Sequence, residues 1–265
     1  VSLLLPADSA WLEGGVKGEP ISPAPLRTVS DTRIDAAASA IKAADKPVII
    51  INGTALTETG LQAAARLKAA GIRILTDTFY GKMRRGAGVF APERMQYFAE
   101  GAMDDLEGSD LMMLAGTSAP VAFFSYPGKP SLLVPEGCDV LDLGDAGTDS
   151  AKTLAALADR LGATDSAPVS VLSEPDLPTG DLTAQAVGQS LARHLPQNAL
   201  VSDDGVSNGL LSYLPTQTAQ PHDWMMLTGG AIGQGMPLAL GAAIAAPDRK
   251  VICLSGDGAG MYTNH

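Results

Sequence analysis

The chain has 265 residues, 46% of them hydrophobic and 18% charged, with a net charge of −11. That length predicts two domains, and the apolar content rules out disorder along the whole chain. The acid excess argues against a nucleic-acid partner, because neutralising phosphates takes clustered Lys and Arg; it serves solubility instead.

At the N-terminus VSLLLPADSAW has no basic residues ahead of its short apolar run, unlike a signal peptide. No run approaches the roughly eighteen apolar residues of a membrane span. Cys138 and Cys253 lie far apart, which implies no disulfide framework and fits a reducing cytoplasm; Cys253, inside an apolar run, reads as a small buried thiol.

In chain order, VSLLL reads as the closing strand of an earlier domain. Gly14, Gly15, Gly18, Pro20, Pro23 and Pro25 then give linker composition. From Asp31 the spacing of Ile34, Ala37, Ala38 and Ile41 predicts a helix, with Ser30 or Asp31 as its cap. VIIIN after Pro47 predicts a strand buried on both faces. A helix follows from Thr57 to about Ala70, stopped by Gly71, and then the strand IRILTD. One helix between two such strands is a βαβ unit, hence a parallel pair.

YGKMRRGAGVFAPER, residues 79–93, reads as a glycine-rich basic loop, solvated rather than anion-binding. Beyond it the pattern predicts a helix near Arg94 to Leu106 and a strand at Leu111 to Ala115. Short apolar runs follow at Leu132 to Val134 and Val140 to Leu143, then a helix from Asp149 to Leu161. This alternation specifies an α/β fold with a doubly wound parallel sheet over residues 21–162. SAPVSVLSEPDLPTG marks a linker over residues 163–180. Part of a second α/β domain occupies residues 181–265: a helix from Asp181, capped by Asp181, to Leu195, a strand at Ala199 to Ser202, and a short helix near Ser207 to Leu214.

The chemistry concentrates between Leu227 and Thr263. There a glycine-lined turn, Gly229-Gly230-Ala231-Ile232-Gly233-Gln234-Gly235, leads into a helix of small apolar residues. An apolar strand (Val251 to Leu254) then ends at Gly256-Asp257-Gly258-Ala259. An acid between glycines at the carboxyl end of a buried parallel strand is where open α/β sheets bind ligands. The glycines let backbone N–H groups approach a phosphate, and one carboxylate suits Mg²⁺ shared with phosphate oxygens. A plain helix cap or turn at Asp257 explains the same residues, as does a tight loop at Gly229–Gly235. Gly233-x-Gly235 lacks the third glycine of a dinucleotide fingerprint, Leu238 standing in its place.

GGAIGQGMPLALGAAIAAPDRKVICLSGDG resembles the opening of the pyrophosphate-binding domain of thiamine-diphosphate-dependent enzymes, in the branch of acetolactate synthase and benzoylformate decarboxylase. The resemblance implies three α/β domains in the whole protein. Residues 1–20 would end the pyrimidine-binding domain, and the middle and pyrophosphate-binding domains would follow. It further implies thiamine diphosphate and Mg²⁺ as cofactors and a small 2-oxo acid as substrate, decarboxylated with or without carboligation by a cytoplasmic homodimer or homotetramer.

By position, Asp257 becomes a Mg²⁺ ligand, with Gly256, Gly258 and Ala259 around the diphosphate and Ser207 a further diphosphate contact. The Gly230 carbonyl meets the aminopyrimidine, and Ile232 props the bent cofactor. The family's second metal motif and activating glutamate have no counterpart here, so the chain reads as an incomplete, inactive fragment. FAD is disfavoured, since Gly116-Thr117-Ser118-Ala119-Pro120 stands where the synthases carry an arginine-and-acid-rich motif. His194 near a helix end, His222 in a loop and the terminal His265 read as non-catalytic. Two alternatives stay open: a module binding a nucleotide such as FAD, ADP or NAD, and a non-catalytic structural homologue.

Overall fold

The computed structural model describes residues 6–264, so VSLLL and His265 lie outside the described residues. A short helix α1 (Ala7–Trp11) and an extended stretch lead to α2 (Asp31–Ala43), whose buried Ile34, Ala37 and Ala38 form the expected stripe. β1 (Pro47–Ile51) is buried from Val48 onward. α3 (Glu58–Ala69) starts under Thr57, whose hydroxyl accepts from the Gly60 N–H. It stops at Gly71, where φ is +93° and the next N–H, that of Ile72, reaches back to the Leu67 carbonyl.

β2 (Arg73–Thr76), β3 (Lys82–Arg85), β4 (Glu93–Arg94), α4 (Ala99–Leu106), β5 (Leu111–Ala115), β6 (Asp139–Asp142) and α5 (Ser150–Leu161) follow. All but β3 among these strands join β1 in a parallel sheet of order β4-β2-β1-β5-β6. The two faces of β1 sort its side chains by the period of two. Ile49 and Ile51 pack with Ile34, Leu61, Leu154 and Leu157, while Val48 and Ile50 pack with Leu106, Met112 and Leu114. The doubly wound sheet is therefore present, with helices over both faces.

The second sheet is built from α6 (Ala184–His194), β7 (Leu200–Asp204), α7 (Val206–Tyr213), β8 (His222–Met226), α8 (Gly235–Ala245), β9 (Val251–Ser255) and α9 (Asp257–Met261). Its order is β3-β8-β7-β9, with β3 antiparallel to β8 and the others parallel.

Several expectations change here. Residues 82–85 are not loop: β3 pairs with β8 through Met83 and Trp224. Its basic residues concealed it, yet Arg85 is only 5% exposed. The Arg85 guanidinium lies 3.3 Å from the Tyr213 ring centroid and donates to the Tyr213 carbonyl at 2.8 Å. A planar, weakly hydrated guanidinium can stack on a ring where an ammonium would stay solvated.

β8 was not anticipated at all, and His222 belongs to that buried strand rather than to a loop. Its sequence, HDWMM, carries no β-branched residue to announce a strand. The helix expected near Arg94 begins at Ala99, because Glu93 and Arg94 pair with β2. The cap of α6 is Thr183, accepting from the Ala186 N–H at 3.1 Å, and not Asp181. β9, expected to be buried, is the outer strand of its sheet and half covered, so Cys253 is exposed rather than buried.

Candidate functional site

The site is organised by the carboxyl ends of β7 and β9. Asp204 is the last residue of β7, opposite Ser255, and its carbonyl accepts from the Gly256 N–H at 3.1 Å. Its carboxylate, fully buried, turns the other way along the loop. Oδ2 accepts from the N–H groups of Gly233 at 2.8 Å and Gly235 at 3.1 Å. One residue therefore fastens the Gly229–Gly235 turn to the Gly256–Gly258 turn.

Further bonds stiffen the same corner. The Ser202 hydroxyl donates to the Gly235 carbonyl at 2.9 Å, and Thr263 donates to the Gly233 carbonyl at 2.7 Å. Gln234 folds back so that its amide oxygen accepts from the Thr228 N–H and its nitrogen donates to the Met226 carbonyl. Glycine is required at 233: φ is +95°, and a Cβ there would sit 3.0 Å from the Cβ of Tyr262.

Gly256 precedes α9, Asp257 and Gly258 are exposed at its start, and Ala259 is buried beneath them. Nothing lies within 4 Å of a Cβ built on Gly258, so the backbone there is open to a ligand. Ser207, Gly230 and Ile232 lie elsewhere in the corner, on the wall of a cavity of about 640 Å³ that Gly256, Asp257, Gly258 and Ala259 do not line. The structure thus separates the residues expected at the pyrimidine from those expected at the diphosphate, and gathers Ser207 with the former.

The Gly230 end of the cavity is narrow. A Cβ on Gly230 would fall 2.4 Å from Cζ of Phe123. Phe123 comes from the segment after β5, so the first sheet's loops roof the second sheet's turn. Phe79, Tyr97, Phe98 and Phe124 complete that roof, and Arg94 and Asp203 stand on the walls.

Sequence reasoning missed Asp204, Arg94 and the aromatic group. Asp203-Asp204-Gly205 reads as an ordinary turn, and only the fold reveals that one carboxylate points back at two glycines. The run Phe123-Phe124-Ser125-Tyr126 in a segment without periodicity was the available signal for the roof.

Asp203 accepts from the Gly205 N–H at 3.0 Å and from Trp224 Nε1 at 3.2 Å; burial nevertheless pushes its carboxyl pKa up. Burial likewise lowers the pKa of Arg94. Among the described residues no group of three or more His, Cys, Asp or Glu side chains is placed to hold a metal. Nor is any helix there long and apolar enough to cross a membrane.

Residues 205–265 match the family of the thiamine pyrophosphate enzyme C-terminal TPP binding domain. Over that stretch the chain carries the glycine-lined turn, α8, β9 and α9. Among individual proteins it is 44% identical over 265 residues to the "Putative acetolactate synthase large subunit IlvX" of Mycobacterium tuberculosis, covering 99% of this chain and 50% of that protein.

Among solved structures, the thiamine diphosphate-dependent 4-hydroxybenzoylformate decarboxylase of Rhodococcus jostii superposes with a TM-score of 0.68 at 20% identity, over 97% of this chain and 50% of that one. Benzoylformate decarboxylase from Polynucleobacter necessarius superposes with a TM-score of 0.62 at 21% identity, over 95% and 51%. Identities this low speak to the fold alone. The chain spans about half the length of the curated relative it matches along its whole extent.

Proposed function

We propose that residues 21–162 are the middle domain, 163–180 a linker and 181–265 the opening of the pyrophosphate-binding domain of an enzyme that decarboxylates a small 2-oxo acid, with or without carboligation, using thiamine diphosphate and Mg²⁺. The supporting observation is the Asp204 brace, which holds the two glycine turns side by side at adjacent strand ends. Residues 1–20 would close the pyrimidine-binding domain.

The residues suit the cofactor's diphosphate end. Gly258 leaves open backbone, and exposed Asp257 offers one carboxylate, the share of a Mg²⁺ shell that protein commonly supplies alongside phosphate and water. Ser207, expected at the diphosphate, stands instead in the first turn of α7 on the cavity wall shared with Gly230 and Ile232, and would meet the cofactor from that side. At the other end the Gly230 carbonyl and Ile232 would take the pyrimidine, with Phe123 beside them on the cavity wall. When bound, thiamine diphosphate supplies the electron sink that loss of CO₂ from a 2-oxo acid demands. The chain's own part is to hold, orient and exclude water. A homodimer or homotetramer would also cover Leu240 and Ile244, which α8 leaves exposed.

At the first sheet's carboxyl edge, where a nucleotide would otherwise bind, Asn52 and Thr117 both donate to half-buried Asp77. A carboxylate held there repels phosphate. Calorimetric titration of the protein with thiamine diphosphate, with and without Mg²⁺, tests the proposal. Saturable binding that requires Mg²⁺ is expected, and heat that is absent in both arms refutes it.

A further inference from the structure

A second cavity, of about 560 Å³, opens between the two sheets at the carboxyl end of α7. It shares Arg94, Tyr97, Phe98 and Leu210 with the first. Ser207, Gly230 and Ile232 line only the first cavity, whereas β3, Ser170, Leu214 and Gln217 line only the second. Apolar pockets with a few convergent polar groups, lying where two domains meet, are the ordinary place for a small ligand.

Part of the wall is the stretch that connects the two sheets. The Ser170 N–H donates to the Val89 carbonyl at 3.0 Å, and the Gly88 N–H donates to the Ser170 carbonyl at 2.8 Å. Further on, the Ser173 N–H donates to the Thr218 carbonyl at 2.9 Å. The stretch is thus tied to the loop after β3 and to the turn after α7, and it closes the cavity as a fixed wall.

The polar end is cationic. The guanidinium carbons of Arg85 and Arg94 lie 3.3 and 5.0 Å from the Tyr213 ring centroid. Burial lowers the Arg85 pKa to about 10, so it stays charged at neutral pH, and the neighbouring Tyr80 phenol, raised by burial, stays neutral. Arg73, Arg84 and Arg249 each face a carboxylate, whereas among the described residues no acid forms an ion pair with Arg85 or Arg94. Arg85 donates to the Tyr213 carbonyl, while Arg94 reaches only Met226 Sδ at 3.8 Å, a weak acceptor.

The acids nearby are engaged otherwise. Asp203 accepts from Gly205 and Trp224, and Glu93, on the cavity's own lining, pairs with Lys68 and Arg73. Guanidiniums largely out of water and without a counter-charge favour an anionic ligand, and their fork suits a carboxylate. The negative end of the α7 dipole borders the cavity, which weighs against a doubly charged phosphate.

The remaining lining is aliphatic and adaptable, with Met83, Val89, Met95, Leu210 and Leu214. The rings near the cations have their contacts taken. Arg85 covers Tyr213, and Tyr97 packs against Phe79, Phe98, Phe123 and Phe124. A flexible chain suits such walls better than a flat ring.

We infer that this second cavity binds an aliphatic carboxylate, its head on Arg94 beside Arg85 and its chain along Met83, Val89, Leu210 and Leu214. The site is separate from the cofactor's and stands whether or not the function proposed above does.

The test is calorimetry on the intact protein with octanoate, 1-octanol and octylamine as probes. Octanoate is expected to bind at least about 10-fold tighter than octanol, and octylamine weakest. Arg94→Gln should weaken octanoate about 10- to 100-fold, the value of a lost charge-assisted hydrogen bond, and leave octanol unchanged. Leu214 is 54% exposed, so Leu214→Trp can fill the cavity from its rim; it should abolish binding of octanoate and octanol alike. Should Arg94→Gln fail to fold, the Trp variant and the octanol comparison decide.

Equal affinities for octanoate and octanol, or octanoate bound by Leu214→Trp as by the parent, overturn the inference. So does octanoate displaced by thiamine diphosphate with Mg²⁺, which would place it in the first cavity. Octanoate binding without any cofactor binding removes the enzyme function and keeps this site.

Discussion

Asp204 Oδ2 lies 2.8 Å from the backbone nitrogen of Gly233, a hydrogen bond between the end of one strand and a turn 29 residues further along the chain. The same oxygen holds Gly235, while Oδ1 is buried with no partner. Asp204→Ala is expected to cost about 3 kcal/mol in urea unfolding, because it leaves buried N–H groups unanswered. Asp204→Asn keeps an acceptor and should cost about 1 kcal/mol. Both should also weaken thiamine diphosphate binding, by loosening the turns that receive it.

Asp257 offers the contrasting case. Its side chain is exposed at the start of α9, and its removal disturbs no packing. Asp257→Ala should leave the urea midpoint nearly unchanged and lower Mg²⁺-dependent thiamine diphosphate affinity more than about 100-fold. Calorimetry reads the second effect. A preserved affinity would show that Asp257 only shapes the turn into α9.

The Gly256-Asp257-Gly258 turn and the strand before it were legible in sequence because glycine spacing and an apolar run are local signals. The brace behind them was not. Asp204 gains its role only when β7 and β9 are side by side, a relationship set by sheet order and not by spacing along the chain. The first sheet was readable for the same local reason: β1, α3, β2, β5 and α5 each carry their own period. β3 and β8 escaped since their burial depends on each other, with Arg85 stacked on Tyr213 and Trp224 set against Asp203. Basic and methionine-rich segments look solvated until that partner is known.

Arg85 is buried without an ion pair among the described residues, and its Nε finds no acceptor. Arg85→Ala should destabilise by about 3 kcal/mol, from the cavity left behind and the lost bond to the Tyr213 carbonyl. Arg85→Met fills the space without a charge to desolvate and should stay within about 1 kcal/mol of the parent. Urea midpoints, with the near-ultraviolet signal of Trp224 as a packing probe, distinguish the two.

His222 is buried in β8, with Nδ1 2.8 Å from the Gln220 carbonyl and Nε2 without a partner. Burial is the main cause that lowers its pKa to about 4, and the nearby Arg85 and Arg84 add to it against Gln220 and Asp223. The folded state therefore refuses a proton that the unfolded state accepts below about pH 6.5. Its contribution is fully present above that pH and is lost as pH falls toward 4, on the order of 3 kcal/mol in total. Unfolding free energies across this range should fall for the parent and fall less for His222→Phe. Parallel curves would remove the histidine from the account.

The strand β3 lies upstream of residues 163–180 in sequence and at the edge of the second sheet in space. A cut anywhere in that connecting stretch would leave two polypeptides still clasped by the Lys82–Arg85 ladder and the stacked guanidinium of Arg85. The halves should co-purify after nicking and reassociate when expressed as separate chains, provided the break falls there. Ending the first piece before Lys82 would instead strip the second sheet of its border, leaving β8 as an open template for misassembly.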